Sequence, residues 1–181
     1  MFSHYLYKGN IMEKMKRIEV SSHALFEERC KGLGVNDDNV ESEKFSNLAF
    51  IDIIGTKDSI EKYLHEDNTK HWFEKEHPNV LNLEFDDISE DEFEYNGIVF
   101  KGFTNEQAKK SYDFILANEN KDFIICCRAG ISRSQAFGNF IHDYFGGYDS
   151  ASLLGTPNYY VYTKLTREHL KHKGFKLGEM E

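Results

Sequence analysis

The chain has 181 residues, of which 40% are hydrophobic and 14% aromatic, and its formal net charge at pH 7 is −9. This length and composition suit one globular domain with a sizeable core and exclude a disordered chain. The negative charge argues against nucleic acid or an anionic membrane as the main partner, because both reward clustered Lys and Arg.

The N-terminal part of the chain predicts a strand followed by a helix. Ile18–Val20 is typical of a short strand, and Ser21 or Ser22 would cap a helix that reaches about Arg29. The next segment, Lys31–Glu43, is polar and contains glycine, which predicts a loop.

The middle of the chain predicts two further strands. Leu48–Ile54 is an apolar run that suits a strand buried on both faces. Asp58 would cap a helix to about Leu64, and a second helix is expected around residues 71–73. Val80–Phe85 favours a strand that leads into a pair of acidic residues. The dipeptide Asn96–Gly97 is a turn signal for a small hairpin.

The C-terminal part predicts three helices and one more strand. Thr104–Gln107 is a capping box in front of a helix whose apolar face holds Ala108, Tyr112, Ile115 and Leu116. We expect a strand over Phe123–Cys126, a helix over Ser132–Phe145 and a last helix over Asn158–His172. Strands that alternate with helices predict an α/β fold, with a central, mostly parallel sheet of about four to five strands flanked by helices.

The domain organisation follows from the lack of any internal linker, since the chain has only two Pro and no Gly/Ser-rich stretch. We expect one domain over residues 17–176, with a possible leader or extension over residues 1–16. Three Cys without zinc-ligand spacing fit a reducing compartment. No apolar stretch approaches the roughly 20 residues that span a bilayer. The expected location is cytoplasmic.

The most informative segment is 122–134, in which an apolar strand runs into a cysteine and an arginine follows six positions later. Cys127 would lie below the start of the Ser132 helix, where the helix dipole and unpaired N–H groups favour a thiolate. The backbone N–H groups of residues 128–133 can surround phosphoryl oxygens, and Gly130 permits their close approach. This order predicts a phosphate-binding loop around a nucleophilic cysteine.

Two side chains behind this loop complete the predicted chemistry. Arg133 can reach back with a planar guanidinium that binds two phosphate oxygens at once, which a lysine cannot do. Ser134 can hydrogen-bond the Cys127 sulfur and ease its departure from a phosphocysteine intermediate. The substrate-binding residues within the loop would be Arg128, Ala129, Gly130, Ile131 and Ser132.

The stretch Cys127-Arg-Ala-Gly-Ile-Ser-Arg-Ser134 resembles the signature of the cysteine-dependent protein tyrosine phosphatase superfamily, and in detail its dual-specificity branch. The resemblance extends from about Leu48 to Leu170, although it is close only in this loop. It implies a phosphotyrosine phosphatase-like fold, no metal or other cofactor, and hydrolysis in two steps through a phosphocysteine.

A general acid is needed because the leaving oxygen must be protonated when the ester breaks. The resemblance implies an Asp on a loop after a strand upstream of the cysteine, and Asp86 and Asp87 follow Val80–Phe85 in this chain. It favours Asp87 as the acid, with Asp86 orienting the loop or the substrate. The residues alone leave both assignments open, and either Asp could instead cap a helix or solvate the loop.

Of two supporting positions, one matches the family pattern and the other departs from it. Asn158 resembles an Asn that buttresses the phosphate loop, and it could equally cap the last helix. Cys126 stands where the family usually has His, and a thiol cannot reproduce the imidazole hydrogen bonds. Cys126 could protect Cys127 through a vicinal disulfide, or it could be a small buried residue.

These observations predict a phosphate monoester hydrolase of the Cys-x5-Arg type, most consistent with a protein tyrosine or dual-specificity phosphatase. Its partner would be a phosphorylated protein, and the oligomeric state is open. The absence of Lys within the loop ranks a phosphoinositide or inositol-phosphate phosphatase second. An RNA 5′-triphosphatase ranks third, since the acidic charge disfavours it. The missing His also leaves open a catalytically weak phosphate-binding module.

Overall fold

The computed structural model describes residues 5–8, 11–64, 70–149 and 151–175, with side chains from residue 15 onward. Its strands, in chain order, are β1 (Tyr5–Lys8), β2 (Ile11–Lys14), β3 (Lys16–Ser22), β4 (Leu48–Ile54), β5 (Val80–Glu84), β6 (Glu92–Tyr95), β7 (Ile98–Lys101), β8 (Asp122–Cys127) and β9 (Tyr148–Asp149). Its α-helices are α1 (His23–Leu33), α2 (Asn105–Ala117), α3 (Arg133–Phe145) and α4 (Tyr159–His172). Two shorter helical segments are a 3₁₀ helix at Glu43–Phe45 and a π-helix at Ser59–Leu64.

A five-stranded sheet in the order β5-β4-β8-β3-β9 forms the centre of the fold, and every pairing in it is parallel. The predicted α/β fold with a parallel sheet flanked by helices is therefore confirmed. The register pairs Ser22 with Cys127 and Asp52 with Cys126. The carboxyl ends of β3, β4 and β8 thus meet at one edge, which is where parallel sheets bind ligands.

Apolar side chains cover both faces of this sheet. On one face they pack with α2, α3 and α4, in a cluster whose members include Ile51, Phe103, Tyr112, Cys127, Phe137 and Leu165. On the other face they pack with α1 and its following loops, in a cluster that includes Phe26, Cys30, Phe50, Phe73, Ile124 and Cys126. Neighbouring residues of a strand point to opposite faces, so the two adjacent cysteines belong to different clusters.

Several local signals in the sequence are confirmed. Ser22 caps α1 by accepting a hydrogen bond from the Leu25 backbone N–H at 3.4 Å. Thr104 and Gln107 form the reciprocal capping box at the start of α2. The Asn96–Gly97 turn joins β6 to β7, and both residues have positive φ, 52° and 73°. Such a turn matches the twist of a hairpin.

Three local predictions were wrong at their boundaries or in kind. Helix α1 continues to Leu33, so the first part of the predicted loop at Lys31–Glu43 is helical. Asp58 lies inside its helical segment and accepts from Lys62 Nζ at 3.1 Å instead of capping. Residues 71–73 form no helix. There the Trp72 backbone N–H donates to the buried Asp52 carboxylate at 3.0 Å, so a long-range contact replaces a helical hydrogen bond.

Lys16, the last residue of the possible leader or extension, belongs to β3 and pairs with Tyr148. Most of the predicted leader is described by backbone alone, as the antiparallel pair β1 and β2. Residues 1–4, 9 and 10, and the predicted domain end at residue 176, lie outside the described residues. Among the described residues, no helix is both long and apolar enough to cross a membrane.

Phe50 offers a direct test of the second core cluster. It is fully buried, and its ring lies 6.3 Å from Phe26 and 5.1 Å from Phe73 between centroids. We expect Phe50→Ala to lower the free energy of unfolding by about 3–5 kcal/mol, because lost burial and a cavity both contribute. Phe175→Ala is the matched control, since that ring is 61% exposed, and it should change stability by less than about 0.5 kcal/mol. Equal effects in urea unfolding would contradict this assignment of the core.

Candidate active site

The segment between β8 and α3 folds tightly against the end of β3. Gly130 has a φ of 74°, and a Cβ at this position would lie 2.5 Å from the Ser21 carbonyl carbon. Only glycine fits this backbone, because it tolerates positive φ and has no side chain to collide. The loop is braced from two sides, since Gln135 Nε2 donates to the Gly130 carbonyl at 3.1 Å and the His23 N–H donates to the Arg128 carbonyl at 3.4 Å.

Cys127 is the predicted nucleophile, and it lies at the end of β8 where the loop begins. Its side chain is 2% exposed, and its Sγ lies 3.0 Å from Ser134 Oγ. Burial by itself raises the pKa of the thiol. The Ser134 hydroxyl and N–H, the charge of Arg133 and the Gly130 N–H outweigh burial and bring the pKa of Cys127 below its ordinary value. These contacts favour the thiolate form of Cys127 more than the surroundings of an ordinary cysteine do.

Arg133 lies behind the loop as a buried cation, 6% exposed. Its Nη1 donates to the carbonyls of Ile54 at 3.1 Å and Phe85 at 2.6 Å, at the ends of β4 and β5. Its Nε is buried and has no hydrogen-bond partner among the described residues. A buried, unpaired donor on a cation is costly, so this edge of the guanidinium is suited to an anion.

Asp87 reaches the loop from the segment that follows β5. Asp87 is exposed. Its Oδ1 accepts hydrogen bonds from Ser132 Oγ at 2.9 Å and from Asn158 Nδ2 at 2.8 Å. Asn158 also caps α4, with Oδ1 accepting from the N–H groups of Tyr160 and Val161. Its own N–H donates to the Ser132 carbonyl at 3.2 Å. Asn158 thus joins the phosphate loop, the Asp87 segment and α4, and both of its predicted roles are compatible.

A second contact holds the Asp87 segment against α4 further along the chain. Asp91 Oδ1 accepts from Lys164 Nζ and from the Tyr160 hydroxyl, each at 2.7 Å. Lys164 is 6% exposed and also donates to the Phe103 carbonyl at 2.7 Å. Contacts near both ends therefore hold residues 86–103 in place beside the candidate site.

Asp86 has a different environment from Asp87. It is 5% exposed, and its carboxylate accepts hydrogen bonds from the Thr56 N–H, Thr56 Oγ1, Ser59 Oγ and the Lys101 N–H. These four donors occupy both oxygens. The geometry therefore favours Asp86 as an anchor that orients the loop, and it leaves Asp87 as the available carboxyl group.

A cavity of about 750 Å³ opens over the loop. Of the predicted site residues, it is lined by Asp86, Asp87, Cys127, Arg128, Ala129, Ile131, Ser132 and Arg133. Gly130, Ser134, Cys126 and Asn158 lie outside this lining and act through their neighbours. One wall is apolar and includes Ile60, Tyr63, Leu64, Ile88 and Phe100. The predicted nucleophile, cation and acid therefore share one cavity.

No protein-family model matches this chain, and a search of curated proteins finds no match either.

Cys126 points away from this cavity into a buried polar cluster. Its Sγ donates to Asp52 Oδ1 at 3.2 Å, and burial, followed by the Asp52 charge, raises the pKa of the thiol well above its ordinary value. The Asp52 carboxylate also lies 3.4 Å from His23 Nε2 and 3.2 Å from His71 Nδ1. Since Cys126 and Cys127 face opposite sides of the sheet, the arrangement argues against a disulfide between them and favours a buried cysteine.

Sequence reasoning missed this cluster of His23, Asp52, His71 and Cys126. Asp52 was visible only as a lone acid inside an apolar strand, which is a signal for a partnered buried charge. Its partners come from the start of α1, from residue 71 and from β8. Nothing in the spacing of these residues indicates that they meet.

The protonation of Cys127 can be tested by alkylation. With a lowered pKa, iodoacetamide should modify this thiol at a pH below that of an ordinary cysteine, because the thiolate is the reactive form. Ser134→Ala removes a hydrogen bond that stabilises the thiolate, so the midpoint of the rate profile should move to higher pH. Cys30 and Cys126 are internal controls and should stay unmodified in the folded chain, since both are fully buried. An unchanged midpoint in Ser134→Ala would contradict the assigned contact.

Proposed function

We propose that this protein hydrolyses phosphate monoesters through a covalent phosphocysteine at Cys127, as a protein tyrosine or dual-specificity phosphatase does. The observation that carries the proposal is the pairing of a poised thiol with the buried Arg133 guanidinium at one cavity, with Arg133 Nε unpartnered among the described residues. A phosphoryl group is the dianion that would use both features at once.

In the first step, the Cys127 thiolate attacks phosphorus and the bond from phosphorus to the ester oxygen breaks. Asp87 in its acid form gives its proton to the leaving oxygen. Arg133 and the loop N–H groups stabilise the charge on the phosphoryl oxygens during the transfer. The products of this step are the free alcohol or phenol and phosphocysteine.

In the second step, water attacks the phosphocysteine and the bond from sulfur to phosphorus breaks. The Asp87 carboxylate takes a proton from the water, which restores its acid form. The Ser134 hydroxyl, 3.0 Å from the sulfur, donates to the departing thiolate. Inorganic phosphate then leaves, and the protein has returned to its starting state.

The walls of the cavity support an aryl phosphate, and hence phosphotyrosine in a protein, as the leading substrate. Tyr63 and Phe100 pack edge to face with centroids 5.3 Å apart, beside Ile60 on the same wall. Such a wall can pack against a flat ring. The cationic side chains in the described lining are Arg128 and Arg133, with His23. This sparse positive charge makes a polyphosphorylated inositol or a triphosphate end a poorer fit.

The nucleophile and the cation can be tested with p-nitrophenyl phosphate in the absence of metal. We expect Cys127→Ser to abolish hydrolysis, because a serine hydroxyl is not activated in this loop. Arg133→Lys should lower kcat/KM by about 10²–10³-fold, since it keeps the charge but loses the planar donors. Lys164→Arg provides a control for a buried cation beside the same segment and should retain activity. An inactive wild-type chain, or full activity in Cys127→Ser, would remove the proposal.

The acid can be tested by changing the leaving group. Asp87→Asn should lower kcat on phenyl phosphate by about 10²–10⁴-fold. On p-nitrophenyl phosphate its effect should be much smaller, because that leaving group needs little protonation. Glu90→Gln is the control, since Glu90 is an exposed acid of the same segment.

Asp86→Asn should instead lower the thermal unfolding temperature. The Asn amide has one acceptor oxygen where the carboxylate has two, so the four donors around Asp86 cannot all keep their hydrogen bonds. If Asp86→Asn showed the dependence on the leaving group and Asp87→Asn did not, the two roles would be reversed.

A further inference from the structure

The buried cluster behind the phosphate loop brings three potential metal ligands together. One ligand atom from each of His23, Asp52 and Cys126 lies within 4.8 Å of the other two. Asp52 Oδ1 is 3.4 Å from the imidazole nitrogen and 3.2 Å from the sulfur. Ligand atoms about 2.0–2.3 Å from a tetrahedral Zn²⁺ lie roughly 3.3–3.5 Å apart. The two separations from Asp52 Oδ1 are therefore close to the edges of a coordination tetrahedron.

The His23 imidazole lies against the Asp52 carboxylate without a well-aligned hydrogen bond. His23 Nε2 is buried and lies 3.4 Å from Asp52 Oδ1, yet it has no hydrogen-bond partner within the described part of the chain. A metal ion shared by the two groups would give this nitrogen a partner.

The surrounding groups form the outer shell that metal ligands usually have. The other oxygen of Asp52, Oδ2, accepts from the Trp72 N–H at 3.0 Å and lies 3.2 Å from His71 Nδ1. The other ring nitrogen of His23 lies 3.5 Å from Glu27 Oε1. Outer carboxylates that orient a ligating imidazole, and donors that hold a ligating carboxylate, are typical of metal sites.

The donor set and its burial define the ion. Asp52 and Cys126 are fully buried, and the His23 side chain is 14% exposed. Thiolate, imidazole and carboxylate together suit Zn²⁺, or Co²⁺ as its spectroscopic substitute, and do not suit Mg²⁺ or Ca²⁺. On binding, the Cys126 thiol loses its proton to solvent, as does His23 where it is protonated.

We propose that His23, Asp52 and Cys126 form a binding site for a divalent transition metal of the Zn²⁺ class, behind the phosphate loop. The ion would join the start of α1, β4 and β8 to one another and neutralise the buried Asp52. It would stabilise the fold beside the loop, and the hydrolytic steps described above do not use it. The site is separate from the proposed phosphatase activity, and either can fail without the other.

The test uses the full chain with Cys127→Ser, so that the nucleophilic thiol cannot bind the metal. Metal-free protein is titrated with Co²⁺ alone, and the thiolate-to-cobalt absorption is recorded. We expect one equivalent to bind with this absorption, and Zn²⁺ to displace it and raise the thermal unfolding temperature. The matched control adds Cys30→Ser, which removes another buried thiol and should leave the absorption unchanged.

Adding Cys126→Ser to the same chain should abolish the absorption, since the sulfur ligand is gone. His23→Gln should keep the absorption but weaken Co²⁺ binding by on the order of 100-fold, and this variant decides the matter if Cys126→Ser fails to fold. Absence of binding to folded Cys127→Ser would overturn the proposal and leave an ion pair between His23 and Asp52. Absorption that survived Cys126→Ser, or that vanished with Cys30→Ser, would overturn it as well.

Discussion

The hydrogen bonds of Arg133 to two strand ends are the contact on which the rest of the site depends. A buried guanidinium is costly unless its donors are satisfied, and the Ile54 and Phe85 carbonyls satisfy one of its nitrogens. The same contact ties the first turn of α3 to β4 and to the segment that begins with Asp86. It therefore holds the guanidinium in place at the cavity that Arg133 lines, and a cation fixed in this way is preorganised for an anion.

The Asp87 segment is held by contacts that have no part in the chemistry. Asp86 anchors its start through four donors, and Asp91 ties its middle to Lys164 and Tyr160. Asn158 then fixes Asp87 itself. Two adjacent aspartates consequently have different environments, because the Asp86 carboxylate is saturated with donors and the Asp87 carboxylate is exposed. Environment, and not residue type, separates the two roles.

The sequence was sufficient for features that depend on neighbours along the chain. The capping box at Thr104, the Asn96–Gly97 turn and the alternation of strands with helices are local, and each was predictable. The Cys127 loop was also predictable, since glycine, nucleophile and cation follow one another directly. The partners of Asp86 and Asp52 were not, because they depend on which loops meet after the sheet has formed. The helix predicted at residues 71–73 was wrong for the same reason, because the contact of Trp72 with Asp52 depends on the folded sheet.

The absence of His before Cys127 has a physical counterpart elsewhere in the fold. Behind the loop, Cys126 donates a hydrogen bond to the Asp52 carboxylate. The imidazoles of His23 and His71 lie beside the same carboxylate. The Asp52 carboxylate raises the pKa of His23, and the backbone N–H of His23 donates to the Arg128 carbonyl. His23 lines the cavity from the start of α1, so an imidazole reaches this site from a distant part of the chain and not from the position before Cys127. The order of residues along β8 cannot reveal this group, because only folding brings it there.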